Sequence, residues 1–215
     1  MAETMQAVVF KGEGRVALEE RPIPSVNGPD EVKIKILAAS ICGSDLGITA
    51  IPPRHPGTLD VIMGHECVAE VVELGGGNSE LRVGDRVLMN PMVPCGECEE
   101  CKTGHINACR HCKLIGEEYD GVFAEYYVTT KNLLYPISPE VPIDIAVFAE
   151  PLACVMNGFK RVGMLPGQDV LILGAGPIGL LFASVAKAAG AGKVLLSECA
   201  DFRIAFASKF SSADK

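Results

Sequence analysis

Cys42-Gly43-Ser44-Asp45 and Gly64-His65-Glu66 bring a soft sulfur, an imidazole and a carboxylate into two short stretches. These are the donor types a catalytic zinc uses when it keeps one position open for substrate. A second group, Cys95, Cys98, Cys101 and Cys109, lies in a loop with Gly96 and Gly104. Four thiolates delivered by closely spaced turns can close a tetrahedron, the pattern of a structural zinc; an iron–sulfur site or two disulfides are the other uses of such spacing. Cys112 competes with Cys109 for the fourth place; the reading prefers Cys109 and treats Cys112, Cys67, Cys154 and Cys199 as free or packed thiols. A third motif, Gly174-Ala175-Gly176-Pro177-Ile178-Gly179, is a G-x-G-x-x-G turn. It follows the apolar run Val170–Leu173, opens a helical stretch to about Ala189, and is followed by a second run, Val194–Leu196, that leads to Glu198, 19 positions after the last glycine. The first glycine allows the tight turn, the second lets backbone approach a pyrophosphate, and the third lets helix and strand pack closely. Glu198 would accept hydrogen bonds from ribose hydroxyls and repel a 2′-phosphate, which favours NAD over NADP. Arg203 is either a cofactor contact or a solvent-exposed helix residue.

Composition narrows the function. A net charge of −8 and 19 scattered Lys and Arg residues give no basic footprint, so neither nucleic acid nor an anionic membrane surface is expected as a partner. A small molecule fits better. The amino-terminal Met1-Ala2-Glu3-Thr4-Met5 lacks the basic and apolar regions of a secretory signal, so the expected location is cytoplasmic. There thiols stay reduced, and nine cysteines read as metal ligands or free thiols rather than a disulfide framework. The uncharged run Val170–Ala186 is short for a membrane span and is interrupted by Gly174, Gly176 and Pro177.

The elements that must position these groups fall into two parts. Gln6–Phe10, Val16–Glu20 and Glu31–Ala38 read as strands, the third with Val32, Ile34 and Ile36 on one face and Lys33 and Lys35 on the other. Cys42 then arrives at a strand end. A proline-rich loop between Gly47 and Pro56 leads to the metal site. Cys67–Glu73 is a further strand running into Gly75-Gly76-Gly77-Asn78, and Val83–Val87 is a turn into another. Short strands punctuated by glycine turns predict a Greek-key barrel or sandwich-like body. Helical spacing begins near Ile145, and Val170–Leu173 has the character of a strand buried on both faces.

With these motifs in order from end to end, and with Gly84-Asp85-Arg86-Val87 and Glu150-Pro151-Leu152 between them, the chain resembles the zinc-containing medium-chain dehydrogenase/reductase superfamily. It is most similar to the sorbitol (iditol) dehydrogenase-like branch acting on polyols and secondary alcohols. The resemblance implies an α/β plus β fold: a GroES-like, partly open β-barrel catalytic domain over residues 1–145, then a partial Rossmann domain over 146–215. It implies that Cys42, His65 and an acidic residue hold a catalytic zinc and that Cys95, Cys98, Cys101 and Cys109 hold a structural one. Glu150 matches the place of a glutamate ligand in the sorbitol-like branch; a helix-start carboxylate before Pro151 is its other role. Glu66 competes, although successive side chains of an extended segment diverge, so His65 and Glu66 ligate together only if the backbone turns sharply there.

The implied reaction is hydride transfer from an alcohol or polyol to NAD, with zinc as Lewis acid and Ser44 as the first step of the proton exit. The sequence departs from the family at Gly47, where many relatives place a relay histidine, and His55 is a weak substitute. Relatives run on for more than a hundred residues and are commonly dimers or tetramers. The chain therefore reads as a fragment of a homo-oligomeric enzyme, inactive alone. The rival readings are a zinc-free reductase of the same superfamily and a zinc-stabilised non-catalytic binding module.

Overall fold

The computed structural model describes residues 3–77 and 80–215 and divides into two compact units, Met1–Glu150 and Pro151–Lys215. Met1 and Ala2 of the amino-terminal stretch, and Asn78 of the glycine-rich turn, lie outside the described residues.

The first unit is built mainly of strands. Strand β1 (Thr4–Gly12) pairs antiparallel with β2 (Arg15–Pro22), and alternation along β1 buries Met5, Ala7 and Val9. Strand β3 (Glu31–Ser40) leads into helix α1 (Gly43–Ile48), and β4 (Glu66–Leu74) follows the proline-rich loop. Then come β5 (Arg86–Met89), β6 (Met92–Val93), the short α2 (Glu99–Lys102), β7 (Lys113–Leu114), β8 (Tyr126–Thr130), β9 (Leu134–Pro136) and α3 (Ile143–Ala146). Five strands form one sheet in the order β8-β3-β4-β5-β9 with antiparallel neighbours. Among the described residues no barrel closes.

This sheet carries the core. On one face Val32, Ile34, Cys67, Ala69, Val71, Val87 and Met89 pack with Ile115 and Val122. Burying each large apolar side chain contributes about 1.5–3 kcal/mol. Val68, pointing the other way from the central strand, meets Ala146 and Val147 at α3. Strand β4 is thus buried on both faces, and its start is a rigid mount for His65 and Glu66. On β3, Val32 and Ile34 are buried while Lys33 pairs with Glu73 across the ladder, the expected alternation.

In the second unit, helix α4 (Ala149–Val162) precedes β10 (Val170–Leu173), α5 (Pro177–Ala188), β11 (Val194–Ser197) and α6 (Asp201–Phe210). Strands β10 and β11 pair in parallel through α5, a β–α–β crossover. Ala183, Ala186 and Val194 are buried together, with Phe159, Met164 and Ile172 packed against them. The expectation of a strand covered on both faces is not met: Leu171 is 63% and Leu173 80% exposed. Side chains alternate along a strand, and the helical cover seen here lies on the Ile172 side. No helix among the described residues is long and apolar enough to cross a membrane.

Candidate metal and dinucleotide sites

Cys42 is the residue before α1. Its backbone N–H donates to Asp45 Oδ2 at 2.8 Å, a capping contact that fixes the loop carrying the sulfur. The imidazole of His65 beside it, and then the backbone of Ser44, favour the thiolate and lower the Cys42 pKa against the opposing effect of burial. Burial would lower the pKa of His65, but Cys42 and the charges of Asp45 and Glu150 raise it to about 9. Asp45, 3% exposed, is itself raised by burial. The site concentrates negative groups around one imidazole in a place with little water.

His65 and Glu66 do converge. His65 precedes β4 rather than lying in it, and Gly64 has φ +86°, a conformation that L side chains rarely adopt. His65 stands just outside the strand, where the alternation that separates neighbouring side chains does not bind it. One donor atom each from Cys42, His65 and Glu66 lies within 4.8 Å of the others; donors around a tetrahedral zinc are about 3.3–3.8 Å apart. Ser40 Oγ donates to Glu66 Oε2, orienting the carboxylate. His65 Nδ1, Ser44 Oγ and Asp45 Oδ1 are buried without hydrogen-bond partners. A half-buried thiol beside a buried imidazole and carboxylate fits a cation of the zinc type. Glu150, in the first turn of α4, is not in this group of three, although its charge reaches His65.

The second cluster is closed. Donor atoms of Cys95, Cys98, Cys101 and Cys109 all lie within 4.8 Å of one another. Backbone N–H groups of Cys95 and Cys98 donate to the sulfurs of Cys109 and Cys95 at 3.3 and 3.4 Å. The β6–β7 pair zips the base of this loop, and Arg110 Nε holds Glu100 at 2.7 Å within it. Burial and the neighbouring sulfurs push the Cys101 thiol up to about 12. A divalent cation reverses that logic by favouring thiolates. Cys112 stands outside, its sulfur directed to the Lys113 carbonyl at 3.6 Å. Among the described residues no cysteine forms a disulfide.

In the second unit the glycine turn connects β10 to α5. Gly174 has φ +103°, Gly176 precedes the helix, and Pro177 occupies its first turn, where a missing N–H costs nothing. Ile178 is 46% exposed. Glu198 has a task that spacing did not reveal: its Oε2 accepts from the Ala175 N–H at 3.0 Å, and its Oε1 from Cys199 and Ala200 at 2.8 and 3.0 Å. These bonds, more than the Arg203 guanidinium 3.5 Å away, hold its pKa down to about 2. A cleft of about 600 Å³ runs beside Ala175 and Glu198, bounded by Ile204 and Ala207 of α6. Two other polar features escaped the sequence reading. Asp45 is signalled by its capping position three residues after Cys42. The pairing of His55 with Glu117, 62 residues apart, has no local signal.

A sheet-built carrier of two metal-capable clusters, joined to a β–α–β unit with a glycine turn, defines the class of molecule. The alcohol dehydrogenase GroES-like domain profile matches residues 28–139. L-threonine 3-dehydrogenase of Pyrococcus furiosus is 41% identical over 218 residues, covering 97% of this chain and 60% of the relative. D-xylulose reductase A of Aspergillus niger is 36% identical over 211 residues, covering 95% and 58%. A candidate zinc-binding dehydrogenase from Sinorhizobium meliloti 1021, solved bound to NADP, superposes with a TM-score of 0.90 at 34% identity, over 98% of this chain and 60% of that one. The chain belongs to the alcohol dehydrogenase GroES-like domain family, within the zinc-containing medium-chain dehydrogenases/reductases. It spans about three fifths of the length of the curated relatives it matches.

Proposed function

We propose that this chain carries the metal centre and the first half of the cofactor site of a zinc- and NAD-dependent dehydrogenase of polyols or secondary alcohols. Residues 1–145 form its GroES-like domain and 146–215 part of a Rossmann domain. The observation that carries this reading is that one donor atom each from Cys42, His65 and Glu66 falls within 4.8 Å of the others.

Cys42 and His65 would hold the catalytic zinc, with Glu66 or Glu150 completing the set and Cys95, Cys98, Cys101 and Cys109 holding the structural ion. Zinc bound there would act as a Lewis acid toward the alcohol, and NAD would accept the hydride. Asp45 fixes the Cys42 backbone. Burial of His65 and Glu66 keeps the site dry, which strengthens every charge interaction within it. The Ser44 hydroxyl can take the alcohol proton while releasing its own. Glu198 follows the second strand at the acidic position of the fingerprint, where its charge would repel a 2′-phosphate, which supports NAD over NADP. The small-molecule alcohol is the partner, in a cytoplasmic homo-oligomer.

The test is NAD reduction with xylitol, sorbitol and L-threonine by the zinc-loaded full-length enzyme of which this chain is a part. Oxidation of at least one, abolished in Cys42→Ala, is expected; turnover that survives this substitution would remove the reading.

A further inference from the structure

His55, in the segment between α1 and β4, pairs with a distant carboxylate, Glu117, and the metal cluster uses neither. His55 Nε2 lies 2.9 Å from both carboxylate oxygens of Glu117. Glu117 is 6% exposed, whereas the His55 side chain is 35% exposed. One end of the pair is in the interior and the other reaches water. The Glu117 charge also acts on Asp45, whose carboxylate holds the Cys42 backbone. The pair therefore borders the metal cluster.

Helix α1 explains why His55 can be there. Ser44 and Gly47 are three residues apart and share a helix face, and a side chain at 47 would lean back over the turn at Ser44. Gly47 has none, and His55 fills the place: a Cβ on Gly47 would lie 2.8 Å from His55 Cβ. The segment is pinned by the Arg54 N–H donating to the Gly47 carbonyl at 2.9 Å and the Thr58 N–H to the Glu117 carbonyl at 3.1 Å. On the same face the Ser44 hydroxyl is buried without a hydrogen-bond partner.

We propose that His55, oriented by Glu117, is the proton-transfer residue that carries the alcohol proton from Ser44 to solvent. This rests on the dehydrogenase reading above. In the oxidation the substrate C–H bond breaks and its electron pair moves to the nicotinamide as hydride, NAD being the two-electron oxidant. The substrate O–H bond breaks too; its proton goes to Ser44 while the Ser44 proton moves outward to His55 through bridging water, since the Ser44 hydroxyl has no hydrogen-bond partner within the protein. Glu117 accepts the Nε2–H and so leaves Nδ1 as the basic nitrogen, the way a carboxylate fixes a histidine tautomer. His55 then releases the proton to water. Glu117 is a positioning residue; its charge also acts on Asp45.

The experiment compares the zinc-loaded full-length enzyme with its His55→Ala and His55→Asn variants, using NAD with xylitol, sorbitol and L-threonine. Zinc content and melting temperature, expected unchanged, report folding separately from activity. The expected result is a fall in kcat of roughly tenfold or more, with KM little changed. The loss should be recovered by added imidazole, and the variant rate should rise with buffer concentration where the parent rate does not. A kcat within about twofold of the parent, or a loss that neither imidazole nor buffer restores in a folded, zinc-replete variant, overturns the proposal. A parent enzyme inactive on all three alcohols overturns the dehydrogenase reading and this inference with it; an active parent indifferent to His55 overturns this inference alone.

Discussion

Gly179 stands so close to Gly174 that a methyl group on it would lie 2.0 Å from the Gly174 carbonyl oxygen, whereas a methyl on Gly176 would have no atom within 4 Å. The third glycine of the turn is thus required by the protein's own packing of α5 against β10. The second is required by nothing in the described chain, which is what a position reserved for a phosphate should show. Gly179→Ala should destabilise the second unit by about 1–3 kcal/mol, read as a lower melting temperature. Gly176→Ala should leave melting unchanged while weakening NAD binding, measured by calorimetry. Equal melting losses in both variants would contradict this division of roles.

Glu198 supplies a pH dependence. Its pKa is held at about 2 against an ordinary 4.5 by the N–H groups of Ala175, Ala200 and Cys199. A depressed carboxylate contributes stability that is complete above the ordinary value and is lost as pH falls through the lowered one. The glycine turn should therefore stay ordered on acidification until pH nears 2. The Ala175 amide resonance, followed between pH 5 and pH 2, should move with a midpoint near the lower end; a midpoint near 4.5 would show that the three bonds do not hold.

Much of this was legible in the sequence. The runs Val170–Leu173 and Val194–Leu196 and the glycine turn between them lie in a β–α–β unit because periodicity and turn chemistry are local. The four-cysteine group was legible because a short loop cannot carry its thiols far apart. What the sequence hid is non-local. His65 falls just before β4 and Glu66 opens it, so a strand boundary that spacing does not mark decides whether the two side chains diverge. The His55–Glu117 pair spans a loop and a distant strand connection, so no spacing rule finds it. The exposed Leu171 and Leu173 look buried to a composition rule because it counts apolar residues and not what covers them.

The fourth ligand of the closed cluster is a sharp choice. Cys109 sits with the other three sulfurs, and Cys112 does not. Cys109→Ser should lose one zinc per chain and open the loop between β6 and β7 to limited proteolysis, while Cys112→Ser should retain both zinc and resistance. The opposite pattern would exchange their roles.

The Gly47–His55 contact predicts a packing defect with a definite source. Gly47→Ala puts a methyl 2.8 Å from His55 Cβ, so the loop must shift. A destabilisation of about 1–3 kcal/mol by chemical denaturation is expected, and most of it should vanish in a background of His55→Gly. Full retention of the loss in the double variant would place the strain elsewhere.

The most direct measurement of the central claim is zinc content per chain by elemental analysis of the purified protein. The account predicts two zinc ions per chain, one in Cys42→Ala, and one in Cys109→Ser. No zinc in the parent chain, or two retained in Cys42→Ala, would contradict it.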